Sequence, residues 1–193
     1  GAGVEFKDFL WEALYDPAPG LDMIATADNL ARRYELSREA VDRYACDSHQ
    51  RALLAQRAGA WVGEIVAVDN QLFELEGYQS RGINLPRRAS AVTEDSHPRP
   101  TDLPALARLR AMHAGGVQTA GNSCAVVDGA AAALVGRASA CARPALARLL
   151  ASAVVGVAPE FMGIGPAPAI RLLLQRSGLN LGDIDRFEIN EAQ

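Results

Sequence analysis

The sequence predicts a layered α/β fold, and three observations carry that expectation. The chain has 193 residues, 49% of them hydrophobic, enough to bury a real core. In its second half, strand-like and helical segments alternate: DGAAAALVG, ARPALARLLASAVVGVAP, PAPAIRLLLQRSGLNLGD and IDRFEINEA. The strand-like runs lack the alternation of a half-exposed sheet, which points to strands covered on both faces.

The elements follow in chain order. TADNLARRYEL predicts a helix started by Thr26 and Asp28 and ended before Ser37. In SREAVDRYACDSHQRALLAQRAG, Ser37 caps a second helix with Glu39 in its first turn. Val41, Tyr44, Ala45, Ser48, Ala52 and Ala55 recur at helical spacing, and Gly59 stops the run. EIVAV, then DN, then QLFEL predicts a β-hairpin turning at Asp69 and Asn70. From Tyr78 to Pro104, Gly, Pro, Ser and Arg dominate, which predicts a long surface excursion. TAGNSCAVVDGAAAAL then places Asn122, Ser123 and Cys124 on a turn before a buried strand, and Gly178 is placed to cap the last helix.

Charge and cysteine usage exclude several classes. The formal net charge is −4, and Lys7 is the only lysine among positive residues spread along the chain, so no nucleic-acid surface is implied. Arginine can still grip single phosphates by bidentate geometry, a role open to Arg87, Arg88 and Arg99. Cys46, Cys124 and Cys141 form neither a CxxC pair nor an even framework, so disulfides and structural zinc are not expected and a reducing, cytoplasmic setting is. No apolar stretch reaches eighteen residues and no basic export signal precedes residue 14, so no membrane partner is expected. Cys46 and Cys141, within helical patterns, read as small buried hydrophobes. His49 reads as a surface or internally satisfied helix residue, and Asp183 with Asp185 as a solvated turn.

Four segments then line up in one order: MIATADN, TAGNSCAVVDGAAAAL, VGVAPEFMGIGPAPA and NEA. Together they resemble the central part of the thiolases, the acetyl-CoA C-acyltransferases, from about Phe6 to Ala192. The resemblance implies a thiolase-like layered α-β-α core with an inserted loop domain, present here only in part. Residues 1–125 would be the loop domain with its CoA contacts, 126–144 its return into the N-terminal half, and 145–193 the start of the C-terminal half.

The family chemistry uses a nucleophilic Cys in an early CxSG-type motif, then a His and a second Cys in late GHP and CxGGG-type motifs. None of these occurs in the chain, so it reads as a central fragment. The resemblance makes Asn190, the Asn of NEA, the holder of an oxyanion-hole water, with Gln193 in place of the family's Phe. Cys124 stands where the family usually has a Ser touching the pantetheine arm. Leu14, Met23, Ala120, Ser123, Val126 and Met162 match apolar or small positions of the CoA channel. Arg99, after His97 in HPRP, matches an Arg near the CoA nucleotide, and His113 falls where an aromatic often approaches the adenine. The implied partners are acyl-CoA or CoA as substrate, with no resident cofactor or metal, and a second copy of the chain in a homodimer or homotetramer. The alternative is a non-catalytic module that keeps only acyl-CoA binding or subunit contacts.

Overall fold

Local capping chemistry sets where the chain becomes helical. A computed structural model of the protein describes residues 8–74, 76–77, 81–85, 89–140 and 144–193. By their contacts they fall into two units: Gly1–Val41 with Leu109–Gln193, and Asp42–Arg108.

In the first unit, a short helix α1 (Phe9–Ala13) is capped by Asp8, whose carboxylate accepts from the Leu10 N–H. A hairpin of β1 (Tyr15–Asp16) and β2 (Leu21–Asp22) pairs Tyr15 with Asp22 and Asp16 with Leu21. Its tight return needs Gly20 at φ 70°, a left-handed conformation that glycine adopts without strain. Helix α2 (Met23–Arg33) begins directly after β2. It starts three residues before the expected Thr26, because Asp22 is already placed to cap it, accepting from the Ala25 N–H at 2.7 Å. Thr26 and Asp28 therefore lie inside the helix and are buried.

Helix α2 packs against the 3₁₀ segment Pro159–Ile164. Asn29 Nδ2 donates to the Glu160 carbonyl at 3.0 Å, and the Arg33 guanidinium sits 4.7 Å over the Phe161 ring. Gly163 allows this approach: a Cβ there would lie 2.7 Å from Leu30 Cδ1. Helix α5 (Pro166–Ser177) follows with proline in its first turn, and Gly178 at φ 69° closes it as expected.

Helix α3 (Arg38–Arg57) starts where Ser37 predicts, its hydroxyl accepting from the Ala40 N–H at 3.1 Å, and gives way to Gly59 at φ 67°. Its buried stripe differs from the expected one. Asp42, Cys46 and His49 are buried, whereas Tyr44 and Ser48 are exposed. Polar partners in the second unit, rather than apolar packing, decide this face: Thr101 O lies 3.7 Å from Cys46 Sγ, and the Arg99 N–H lies 3.4 Å from His49 Nδ1. A five-residue helix α4 (Leu103–Ala107), capped by Asp102, buries Leu106.

The expected hairpin at Asp69–Asn70 does not form. Strand β3 (Val68–Asp69) pairs with β6 (Ala91–Val92), and β4 (Gln71–Phe73) pairs with β5 (Arg81–Ile83), all antiparallel. A two-residue turn there would require positive φ, which neither residue adopts. Asn70 instead accepts from the Leu85 N–H at 2.8 Å. The stretch from 78 to 104, expected as an irregular excursion, thus supplies two strands. Arg87, Arg88 and Cys141 lie outside the described residues.

The apolar runs of the second half also depart from expectation. Residues 124–137 and 144–158 carry no strand or helix. Val126 is 76% exposed, Leu134 105%, Leu146 106% and Val154 90%. No ladder partner flanks them among the described residues, and an apolar strand without neighbours has nothing to be buried against. The only buried apolar residues among those described are Ala31, Cys46 and Leu106, against seven buried polar ones.

Candidate functional site

Most of the buried polar residues belong to one network in the first unit, built around Asp28, Gln118, Thr119 and Asn122. Asp28 is 2% exposed in the middle of α2. Its Oδ1 accepts from the backbone N–H groups of Val117 at 2.8 Å and Gln118 at 3.3 Å. A carboxylate paired with main-chain donors forms the stronger, charge-assisted class of hydrogen bond. Oδ2 is buried and takes no hydrogen bond, and His113 Nδ1 stands 3.7 Å from it. The other ring nitrogen of His113 lies 3.2 Å from Asp22 Oδ2, so this histidine bridges the cap of α2 and its middle.

From Gln118 the network passes into the turn. The Thr119 N–H donates to Asn122 Oδ1 at 2.7 Å, Asn122 Nδ2 donates to the Val117 carbonyl at 3.0 Å, and the Gly121 N–H donates to Thr119 Oγ1 at 3.1 Å. Ser123 Oγ donates to Gln118 Oε1 at 3.3 Å. The turn is thereby held from inside by an Asn side chain, which mimics a backbone turn. The Cys124 N–H then donates to the Ala192 carbonyl at 3.1 Å, which joins the turn to the segment carrying Asn190.

The expected site residues sort by this geometry. Ala120, Ser123 and Cys124 share the turn, with Ala120 and Cys124 exposed and Ser123 half-buried. Asn190 is exposed two residues before Ala192. Met23 is half-buried at the first position of α2, Met162 lies on the 3₁₀ segment packed against that helix, and Leu14 is half-buried at the end of α1. Val126 follows the turn on exposed chain. Among the described residues, no group of His, Cys, Asp and Glu is placed to hold a metal ion, and no helix is long and apolar enough to cross a membrane.

Arg99 belongs to the second unit. Its side chain is exposed, while its backbone N–H meets His49 Nδ1. The His97 ring lies 5.6 Å from that of His49. Burial, then the charge of Arg99, then His97 lower the His49 pKa below 6.5. The acceptor role of Nδ1 fixes the proton of neutral His49 on Nε2.

Sequence reasoning missed Asp28 and the bridging position of His113. Read as a helix starter, Asp28 gives no signal of this; with Asp22 as the cap, Asp28 stands out as an Asp in a helix interior, a position it disfavours unless it has a task there.

Comparison with known proteins identifies the family. The model of the thiolase N-terminal domain matches residues 2–139, and that of the thiolase C-terminal domain matches residues 143–193. The human peroxisomal 3-ketoacyl-CoA thiolase is 43% identical over 177 residues, which are 89% of this chain and 40% of that protein. The crystal structure of human mitochondrial 3-ketoacyl-CoA thiolase in complex with CoA superposes with a TM-score of 0.77 at 31% identity, covering 100% of this chain and 45% of that one. The dimeric peroxisomal thiolase of Saccharomyces cerevisiae superposes with a TM-score of 0.75 at 35% identity, over 89% of this chain and 41% of that one. The chain thus spans less than half the length of these relatives.

The expected cytoplasmic setting is corrected by these matches, because the relatives are peroxisomal and mitochondrial proteins. Cysteine usage does not distinguish the cytosol from those compartments. The layered α/β expectation, by contrast, agrees with the fold of the solved relatives. With both of its domain models matched across nearly all 193 residues, the chain belongs to the thiolase family.

Proposed function

We propose that the whole protein transfers acyl groups between CoA thioesters, cleaving a 3-ketoacyl-CoA with free CoA or condensing two acetyl-CoA through an acyl-cysteine. The names of the relatives favour thiolysis, a step of fatty acid metabolism. The observation that carries the reading is the bond from the Cys124 N–H to the Ala192 carbonyl, which brings the 119–124 turn beside the Asn190 segment within a thiolase chain.

In this reading Asn190 orients a water toward the thioester oxygen as negative charge develops there, and a fixed donor at such a place lowers the barrier by about 3 to 4 kcal/mol. Ala120, Ser123 and Cys124 line the path of the pantetheine arm together with Leu14, Met23, Val126 and Met162, and Arg99 meets the nucleotide end. Cys124 is a lining residue, and the acyl-accepting Cys lies outside these 193 residues. The CoA thioester is a substrate, and the reaction calls for no resident cofactor. Residues 1–125 act as the CoA-contacting loop domain, 126–144 return to the N-terminal half, and 145–193 open the C-terminal half. The protein works as a homodimer or homotetramer, in keeping with the dimeric yeast relative.

The test is CoA-dependent loss of acetoacetyl-CoA by the full-length protein. Cleavage that requires free CoA supports acyl transfer. CoA binding without cleavage would assign a non-catalytic binding module instead.

A further inference from the structure

We propose that Asp28 is a positioning residue for the substrate-holding turn, setting 119–124 in place through the Val117 and Gln118 amides. The proposal rests on the acyl-CoA reading of that turn. It starts from a buried carboxylate whose bonded oxygen is committed to two consecutive main-chain donors on another segment. Those donors lead without a break into Thr119, fully buried, and Asn122, 8% exposed. Asn122 returns a bond from Nδ2 to the carbonyl of Val117, so the residue that shapes the turn and the residue that anchors it meet at Val117. The turn then passes to Cys124 and Ala192. Asp28 acts through the backbone amides of Val117 and Gln118.

Gly116 provides an independent sign of this role. A Cβ built at Gly116 would lie 2.3 Å from Asp28 Oδ2 and 2.7 Å from its Cγ, closer than carbon and oxygen can approach. Its φ lies outside the left-handed region, so space for the carboxylate, rather than backbone freedom, calls for glycine here. His113 closes the remaining side, 3.7 Å from Oδ2. The carboxylate is therefore confined by three neighbours on the 113–118 segment: a ring, a missing side chain and a pair of amides.

The experiment compares full-length wild type with Asp28→Asn, Gly116→Ala and the double variant. Asp28→Asn would remove the negative charge that strengthens both amide bonds and put an N–H donor beside Gly116 and His113 where Oδ2 stood, and the methyl introduced by Gly116→Ala would displace the carboxylate. Each single variant should raise KM for the CoA thioester about tenfold or more and leave kcat per folded molecule within about threefold, because the turn holds the arm in ground and transition states alike. The double variant should be little worse than either single one, since both break the same contact. Hydrogen exchange should show Val117 and Gln118 losing protection while amides of α5 keep theirs. If Asp28→Asn does not accumulate as folded protein, Gly116→Ala tests the same contact alone.

Unchanged KM with unchanged exchange at 117 and 118, or KM effects that multiply in the double variant, would overturn the proposal. Failure of the acyl-CoA reading looks different: wild type would neither bind nor cleave CoA thioesters, and the substrate role of Asp28 would fall with it even though exchange at 117 and 118 still responded.

Discussion

The Cys124 N–H and the Ala192 carbonyl lie 3.1 Å apart, and this one bond brings the NEA segment to the polar turn. Asn190 lies two residues before its acceptor, so an effect of Asn190 on the chemistry would be exerted beside the turn proposed to hold the thioester arm.

Replacing Asn190 by Ala in the full-length protein should lower kcat by about 10²-fold or more with little change in KM, as the proposed oxyanion-hole role requires of a group that serves the transition state. The measurement is kcat on active-site-titrated protein together with the melting temperature. Normal kcat with a lowered melting temperature would reduce Asn190 to a structural cap, whose loss costs about 0.5 to 2 kcal/mol.

Cys124→Ser should leave turnover of the full-length protein within a few-fold of wild type, because an exposed thiol and a hydroxyl fill similar space. The 193-residue polypeptide alone should not cleave acetoacetyl-CoA. Turnover by that polypeptide, abolished in Cys124→Ser, would make Cys124 the nucleophile.

His49 gives a pH dependence with a defined sign. Its folded pKa is lowered below 6.5, so neutral His49 is favoured in the fold and the unfolded chain takes up its proton first. Its contribution is complete above pH 6.5 and is lost as pH falls from there through the folded pKa, below which the loss is constant. Melting curves between pH 5 and 8 should show this loss in wild type and a flatter profile in His49→Gln. Parallel profiles would remove the assignment.

Exposed Leu134, Val135, Leu146, Leu149 and Val154 should make the isolated 193-residue polypeptide self-associate, as contiguous apolar surface and unpaired extended backbone do. Size-exclusion chromatography should show concentration-dependent larger species, reduced by Leu146→Glu with Leu149→Glu. A sharp monomer peak with cooperative unfolding would refute this.

Local chemistry was the most legible part of the sequence. Ser37 and Gly178 act at the helix ends where their residue types predict, because a cap needs only neighbours a few residues away. The turn of Asn122, Ser123 and Cys124 was visible for the same reason. Long-range choices were hidden. Val68 pairs with Val92 rather than across Asp69–Asn70, and the α3 face is set by partners near residues 99 and 101 that periodicity cannot know. The runs from 126 onward carry a true apolar signal, but burial needs partners, and none flanks them among the described residues. Asp28 stayed unseen because its task lies across sequence space, at residues 117 and 118.

The hydrogen-bonded network that joins Asp28, Thr119 and Asn122 in the first unit has a mechanical consequence. An oily interior absorbs a small error by letting neighbours slide, since dispersion contacts have no preferred direction. Hydrogen bonds do have one, so an interior built from Asp28, Thr119 and Asn122 behaves as a jig: it tolerates almost no displacement, and damage to it shows first as misalignment of whatever it holds.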